Sequence, residues 1–331
     1  MDLGSRTHGR TAKGKGAGWG GRCRNFGWLT QRPDPRLRAL NRLELPIRAA
    51  VELATRHGIT PDRCEILQDA NTLVLRLTES LVARVVNDVD GPRQGLDWFT
   101  RENAVAEHLT RLGAPLIPLH PALPSGPHEH LGYPVSFWQF VTIIADEPEP
   151  REIGRTLSGC HEALRSFPGP LAPLAILTES LTLLDTLTER QLFPAETIEL
   201  LRGHLDRTRE VLMTLPAQPL HGDAHPGNVL NTTAGLRWTD WEDTFTGPVE
   251  WDLASIIWNA RYLDESPATV EQMLGGYREA GGRIEEAALQ SSLIARGAVM
   301  TAWYPILYPN PNAERRRRLQ RRIEWLRTVE S

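Results

Sequence analysis

The stretch HGDAHPGN, residues 221–228, places an aspartate and an asparagine five positions apart, and WTDWED follows at residues 238–243. An aspartate at the tip of a loop, here Asp223, accepts the proton of a hydroxyl group or orients that group. Asn228 and Asp240 supply hard oxygen ligands of the kind that divalent cations prefer. Because magnesium held by one or two protein groups completes its shell with substrate phosphates, the pattern predicts a site for a nucleoside triphosphate.

The composition is that of an ordinary globular protein. The chain has 331 residues, 40% of them hydrophobic and 24% charged, with a net charge of -4. This length accommodates two lobes with separate cores, and the charge gives no reason to expect nucleic acid as a partner. Because no apolar run reaches the roughly 20 residues of a membrane helix and the N-terminus lacks the apolar core of a secretory signal, we expect no membrane partner. We therefore expect a cytoplasmic protein, a monomer or a dimer, with small-molecule partners.

The N-terminal extension differs from the rest of the chain. Residues 1–42 are basic, rich in Gly and Arg and poor in aliphatic side chains. Such a segment does not bury enough surface to offset the entropy of ordering, so we expect it to be disordered. An amphipathic helix is predicted to begin near residue 45 and to end at Gly58.

A strand-rich region is predicted over residues 43–141. The short aliphatic runs CEILQ, LVLRL and LVARVV predict a three-stranded antiparallel meander over residues 64–86, and a helix follows at about 97–112. PLIPLHPAL and YPVSFWQFV predict two more strands, separated by a turn. Helical periodicity dominates residues 142–331, which predicts an α+β protein with an antiparallel sheet in its first lobe and helices in its second.

The two motifs resemble the catalytic and metal-binding loops of the aminoglycoside phosphotransferase family, which are small-molecule kinases. The resemblance implies a two-lobed, protein-kinase-like fold and transfer of a γ-phosphoryl group to a small-molecule hydroxyl. It also implies ATP, with GTP possible, and Mg²⁺ as cofactors. Asp223 would be the catalytic base or hydroxyl-orienting group, and His221 would brace its loop. Asn228 and Asp240 would be the magnesium ligands.

Further positions follow from the same resemblance. Asp252, in EWDLA, matches a family aspartate that opens the next helix and stabilises the catalytic loop. The segment that links the lobes binds adenine through its backbone in related kinases, and here it contains Gln139, Phe140 and Val141. His225 falls where related kinases often have a cation near the transferred phosphate, and a packing role within the loop is an equal alternative.

A cation on the phosphates is a further requirement of a kinase site. In related kinases it is a lysine on the third strand, paired with a glutamate of the following helix, and here LVARVV places Arg84 at that position. The helix supports the pair independently, since Glu102 falls on the face of its apolar stripe, Trp98, Val105, Leu109 and Leu112. A carboxylate on a buried stripe requires a partner. Arg84 is the predicted partner, unless Glu102 reaches water at the edge of the stripe.

Two departures from the family pattern leave an alternative function open. The turn QDANT has no glycine, which makes Asn71 and Thr72 the candidate phosphate contacts, and an arginine replaces the usual lysine. These departures allow a nucleotide-binding pseudokinase without turnover. A protein kinase is a weaker alternative, because the long activation segment and its APE signature are missing between Asp240 and Asp252.

The remaining charged and aromatic segments are assigned structural roles. Glu242 and Asp243 are interpreted as a solvated turn. Apolar residues recur at helical spacing in AERRRRLQRRIEWLR, residues 313–327, which predicts an amphipathic final helix with a solvated basic face. Four tryptophans are predicted to lie in the core: Trp238, Trp241, Trp251 and Trp258. The acceptor is left open among aminoglycoside-like antibiotics, sugars and amino alcohols.

Overall fold

A computed structural model describes residues 35–69, 72–86, 96–264 and 266–329, with side chains from residue 42. The first part of this region contains two helices, α1 (Pro35–Arg56) and α2 (Asp97–Arg111). It also contains five strands: β1 (Glu65–Asp69), β2 (Thr72–Arg76), β3 (Leu81–Val86), β4 (His128–His130) and β5 (Tyr133–Gln139).

The five strands form one antiparallel sheet in the order β1-β2-β3-β5-β4. The apolar side chains Leu73 and Leu75 alternate with less buried residues along β2, as expected for a strand with one covered face. Helix α1 covers that face with small residues, and its Ala50 and Ala54 are fully buried against the sheet. The meander predicted over residues 64–86 is confirmed.

Helix α1 begins earlier than predicted. It starts at Pro35, and it therefore continues into the segment 1–42 that was predicted to be disordered. Pro46 lies inside the helix, although proline is most common in the first helical turn and so favoured a later start. Residues 1–34, which carry the rest of that prediction, lie outside the described residues.

The strand predicted at PLIPLHPAL is wrong. This segment makes only isolated bridges, through Leu116 and Leu119. Its prolines Pro115, Pro118 and Pro121 have no N–H to donate, so a continuous ladder of hydrogen bonds is excluded. The fifth strand of the sheet is β4 instead, and it lies in the stretch that was predicted to be a turn.

The second lobe is mostly helical. Its helices are α3 (Pro150–Leu164), α4 (Ala175–Glu189), α5 (Ala195–Leu212), α6 (Glu250–Tyr262), α7 (Pro267–Glu279), α8 (Glu286–Ala302), α9 (Tyr304–Leu307) and α10 (Ala313–Thr328). Short strands interrupt them: β6 (Gln218–Pro219), β7 (Val229–Thr232), β8 (Gly235–Trp238) and β9 (Thr246–Gly247). Within the described ranges, no helix combines the length and apolar character that a membrane crossing requires.

The core joins the two lobes beneath the loops that carry the sequence motifs. Val82 and Trp138 of the sheet pack in one cluster with Trp238 and Leu253 of the second lobe. All four tryptophans of the motif region are at most 1% exposed, which confirms their predicted place in the core. A five-stranded antiparallel sheet followed by a helical lobe is the predicted α+β, kinase-like architecture.

Candidate active site

The loop 220–225 is fixed from below by a buried carboxylate. Asp252, in the first turn of α6, is fully buried. Its carboxylate accepts hydrogen bonds from the backbone N–H groups of His221, at 2.8 Å, and Gly222, at 3.0 Å. A third bond, 2.9 Å long, comes from Nε2 of His161. Hydrogen bonds to a carboxylate are among the stronger ones in proteins, so Asp252 holds the backbone of the loop in one conformation.

His221 and Gly222 fasten the loop to the segment that follows β8. Nε2 of His221 donates to the carbonyl of Thr239 over 3.0 Å, and its ring packs on Trp241 with centroids 4.4 Å apart. Gly222 has a φ of +87°, and a Cβ there would lie 2.0 Å from the carbonyl oxygen of Asp243. Only glycine fits this approach. The two motifs of the sequence are therefore locked together by direct contact.

Asp223 presents its carboxylate to a cavity of about 430 Å³ between the lobes. Arg296 of α8 donates a hydrogen bond to its Oδ1, and Nε2 of His225 lies 3.5 Å from its Oδ2. Burial acts to raise the pKa of Asp223, but the positive charge of Arg296, with a smaller contribution from His225, holds that pKa well below its usual range. Asp223 is therefore an ionised carboxylate and a weak base.

His225 closes the loop on itself. Its Nδ1 accepts a hydrogen bond from the N–H of Gly227 over 3.0 Å, at the start of the 3₁₀ segment Pro226–Asn228. Burial lowers the pKa of His225, and the neighbouring carboxylate of Asp223 opposes that effect. The contact with Gly227 is the packing role that the sequence left as one of two alternatives.

Asn228 and Asp240 offer the oxygen donors that the sequence predicted. The side-chain N–H of Asn228 donates to the carbonyl of Asp223 over 2.9 Å, which leaves its amide oxygen for another partner. The carboxylate of Asp240 is 38% exposed and accepts a hydrogen bond of 2.7 Å from Arg84. Among the described residues no group of three His, Cys, Asp or Glu side chains could hold a metal. One carboxylate and one amide fit Mg²⁺ that completes its shell with phosphates.

Arg84 is surrounded by three carboxylates. Its guanidinium forms the predicted ion pair with Glu102 of α2, and Nη2 also donates to Asp240 and to Glu242, each over 2.7 Å. Arg84 is 13% exposed and Glu102 only 1%. Burial raises the pKa of Glu102, and Glu242 and Asp240 add to this effect; the positive charge of Arg84 opposes it and favours the carboxylate. One guanidinium against three carboxylates leaves an excess of negative charge, which favours a bound cation.

The sequence predicted that Glu242 lies in a solvated turn, and this prediction is wrong. Its carboxylate binds Arg84, and its backbone carbonyl accepts a hydrogen bond of 3.0 Å from Arg101 of α2. The 3₁₀ segment Trp241–Asp243 follows Asp240, whose φ of 68° turns the chain sharply. This turn directs Glu242 back towards the first lobe.

The structure brings only some of the predicted nucleotide-binding residues to the cavity. Thr72 lines it together with Asp223 and Asp240, whereas Asn71 lies outside the described residues. The linker residues do not line it. The N–H of Gln139 donates to Pro118 over 2.9 Å and that of Phe140 to Ser80 over 2.8 Å. The N–H of Val141 has no hydrogen-bond partner within the described ranges. The adenine-binding role of these three residues stays a prediction.

Two arginines of the site were missed by sequence reasoning. Arg296, on α8, and Arg322, on α10, are 7% and 8% exposed and both line the cavity. A signal for Arg296 exists, because it is the one charged residue between positions 287 and 313. Arg322 lies three positions after Leu319 and four before Leu326, on the apolar stripe of the final helix.

The comparison with protein families identifies the family of the chain. Residues 54–288 match the model of the Phosphotransferase enzyme family. The chain belongs to this family. It is therefore an enzyme of the small-molecule kinase class. A search of curated protein sequences gave no match.

Solved structures of similar fold include phosphotransferases of this kind. Amicoumacin kinase hAmiN, in complex with AMP-PNP and Ca²⁺, has a TM-score of 0.66 at 12% identity, over 87% of this chain and 95% of that chain. Choline kinase LicA from Streptococcus pneumoniae has a TM-score of 0.61 at 16% identity, over 84% of this chain and 97% of that chain. Spectinomycin phosphotransferase APH(9)-Ia, in complex with ADP and spectinomycin, has a TM-score of 0.57 at 14% identity, over 85% of this chain and 93% of that chain. At such identities the similarity is one of fold.

Proposed function

We propose that the protein is an ATP- and Mg²⁺-dependent kinase that phosphorylates a hydroxyl group of a small molecule bound between its lobes. One observation carries this proposal: the ionised carboxylate of Asp223 faces a cavity of about 430 Å³ whose lining also includes Asp240. A cavity of this size suits a small molecule. Asp223, proposed to orient the acceptor, and Asp240, proposed to hold the cation, thus line the same cavity.

Asp223 accepts a hydrogen bond from the acceptor hydroxyl and aligns its oxygen with the γ-phosphorus. The new bond forms between that oxygen and phosphorus as the bond from phosphorus to the bridging oxygen of ADP breaks, and the hydroxyl proton passes to Asp223. Because Arg296 makes the carboxylate a weak base, the proton leaves late, when the oxygen is already bound to phosphorus. Positioning is then the main contribution of Asp223, as in other phosphoryl transfers.

The nucleotide end of the site is proposed to neutralise phosphate charge. Asn228 and Asp240 would hold Mg²⁺, which supplies charge neutralisation across the phosphates when bound. Arg84, fixed by Glu102, would contact the phosphates once Asp240 turns from it to the cation. Thr72 would contact the phosphates from β2, together with Asn71. Gln139, Phe140 and Val141 would receive the adenine or guanine base.

Family membership and the full set of acidic and amide groups argue against the pseudokinase alternative. Replacing lysine with arginine keeps the positive charge, and the ion pair between Arg84 and Glu102 keeps it in place. The buried brace at Asp252 is also retained.

The proposal is tested by following the γ-phosphate itself. The purified protein is incubated with γ-labelled ATP and Mg²⁺ and with a panel of hydroxylated antibiotics, sugars, amino alcohols and hydroxy acids. We expect the label to appear on an acceptor in the wild type and in Asp206→Asn, an exposed aspartate on α5 with the same change of charge. Asp223→Asn should transfer none. Equal transfer by Asp223→Asn would contradict the proposed role of this residue.

A further inference from the structure

Arg322 places a positive charge in the wall of the cavity. It lies on α10, the basic helix near the C-terminus, yet it is 8% exposed and lines the same cavity as Asp223. Its guanidinium carbon lies 5.3 Å from the centroid of the Tyr304 ring. Burial lowers the pKa of Arg322 to about 10, and the nearby charge of Arg296 adds to this effect while Tyr304 opposes it.

Arg322 is a buried arginine with no polar partner among the described residues, unlike Arg318 and Arg327 of the same helix. Arg318 pairs with Glu314 over 2.8 Å, and Arg327 pairs with Glu196 over 2.8 Å. Arg322 makes no ion pair or hydrogen bond to any described residue, and its Nε is buried without a partner. A buried guanidinium without an anion costs free energy. Buried charges of this kind concentrate at functional sites, and a ligand that carries an anion would supply the missing partner.

The wall around Arg322 is apolar and aromatic. The cavity-lining residues contributed by α4, α8, α9, α10 and the segment up to Tyr308 include no Asp or Glu within the described ranges. Most of them are apolar or aromatic, among them Ile176, Met300, Trp303, Tyr304 and Tyr308. The acidic lining residues belong to other segments: Asp223 is bound to Arg296, and Asp240 and Glu242 are bound to Arg84, with Asp243 next to them in the chain. The charge of Arg322, with no carboxylate on the segments around it, favours an anionic group of the acceptor in this part of the cavity.

We propose that Arg322 binds a carboxylate of the acceptor, so that the substrate is a hydroxylated acid with an apolar or aromatic body. The carboxylate lies against the guanidinium, the body fills the space between the aromatic side chains, and the hydroxyl reaches Asp223. Because Arg296 is already paired with Asp223, Arg322 is the arginine whose positive charge is left for the ligand. A monoanion balances that charge, whereas a phosphate ester brings a second negative charge towards Asp223.

This inference rests on the proposed function only in calling the ligand an acceptor. The binding of a carboxylate at Arg322 requires neither nucleotide nor turnover. A failure of the kinase reaction and a failure of this site are therefore separate results, since the first is read from the γ-phosphate and the second from binding in the absence of ATP.

The test measures the binding of three matched probes to the full chain by titration calorimetry without nucleotide. Hydroxymethylbenzoate, hydroxymethylbenzamide and aminomethylbenzyl alcohol share one ring and one hydroxymethyl group, and they differ in charge at the other position. A fourth probe, hydroxymethylphenyl phosphate, separates a phosphate ester from a carboxylate. The proteins are the wild type, Arg322→Gln, Arg322→Lys and Arg317→Gln, the last being an exposed arginine on the same helix. Thermal melts verify that each variant folds.

We expect the benzoate to bind the wild type and Arg317→Gln about tenfold to a hundredfold more tightly than the amide or the amine. Arg322→Gln should lose this preference, and Arg322→Lys should keep part of it because the charge remains without the bidentate fork. The inference is overturned if no probe binds, if the amine, amide or phosphate ester binds the wild type as tightly as the benzoate, or if the preference survives in Arg322→Gln.

Discussion

Arg296 of helix α8 donates a hydrogen bond to Oδ1 of Asp223, 73 residues away in the chain. The residue proposed to orient the acceptor is thus held by a cation from the end of the second lobe. Arg296 is a positioning residue in this account, because it acts through Asp223. Its charge offsets the burial that would otherwise favour a protonated carboxyl group.

Replacing Arg296 should change the pH dependence of turnover. In the wild type the pKa of Asp223 is depressed, so the carboxylate stays ionised as pH falls to below about 4 and does not limit kcat/KM near neutrality. In Arg296→Gln the main charge that opposes the effect of burial is lost, and the pKa of Asp223 rises. We expect kcat/KM to fall at least about tenfold and its acid limb to move to higher pH, with partial recovery in Arg296→Lys. A pH profile of kcat/KM parallel to that of the wild type would contradict this role.

Breaking the pair between Arg84 and Glu102 should destabilise the fold as well as the site. Arg84→Met leaves Glu102, 1% exposed, without its counter-charge. We expect the free energy of unfolding in urea to fall by about 3 kcal/mol. The double variant Arg84→Met with Glu102→Leu should regain most of that loss, but it should not regain turnover, because the phosphate contact is still missing. Recovery of turnover in the double variant would show that Arg84 does not act on the nucleotide.

Removing the negative charge of Asp252 should loosen the catalytic loop. Asp252→Asn keeps the size of the side chain but replaces an acceptor that serves His221, Gly222 and His161. We expect the free energy of unfolding to fall by about 3 kcal/mol and the amide protons of the loop to exchange faster with solvent. Unchanged exchange at residues 221 and 222 would mean that this carboxylate is not what holds the loop.

Replacing Arg322 with an apolar residue should stabilise the protein in the absence of ligand. Arg322→Met removes a buried charge that has no anionic partner among the described residues and keeps most of its packing. We expect the free energy of unfolding to rise by about 1 kcal/mol or more. Arg317→Met, at an exposed position of the same helix, should change it by less than about 0.5 kcal/mol. A loss of stability in Arg322→Met would indicate a structural role for the guanidinium.

Local patterns in the sequence predicted the sheet and part of the site. Alternating aliphatic residues identified the strands over residues 64–86, and a carboxylate on an apolar helical stripe identified the pairing of Glu102 with Arg84. Applied to the final helix, the same reasoning would have marked Arg322, which lies on the stripe of Leu319 and Leu326. Because the arginines of that helix were interpreted together as a solvated basic face, Arg322 was not identified.

Other features depend on tertiary contacts that no local pattern specifies. Glu242 follows the metal-binding loop like a solvated turn residue, and only the packing of α2 on this loop brings it to Arg84. Arg296 contacts Asp223, 73 residues away in the chain, only because the tertiary fold brings α8 to the catalytic loop. The prolines of PLIPLHPAL were the local signal against a strand there, and its aliphatic residues outweighed them in the prediction.

The most direct test of the central claim is to compare turnover and nucleotide binding in Asp223→Asn. With saturating ATP, Mg²⁺ and an accepted substrate, we predict that kcat falls by at least about a thousandfold while the Kd for ATP with Mg²⁺ changes by less than about threefold. Asp206→Asn should match the wild type in both. If Asp223→Asn turns over at the rate of the wild type, Asp223 does not orient the acceptor and the proposed mechanism is wrong.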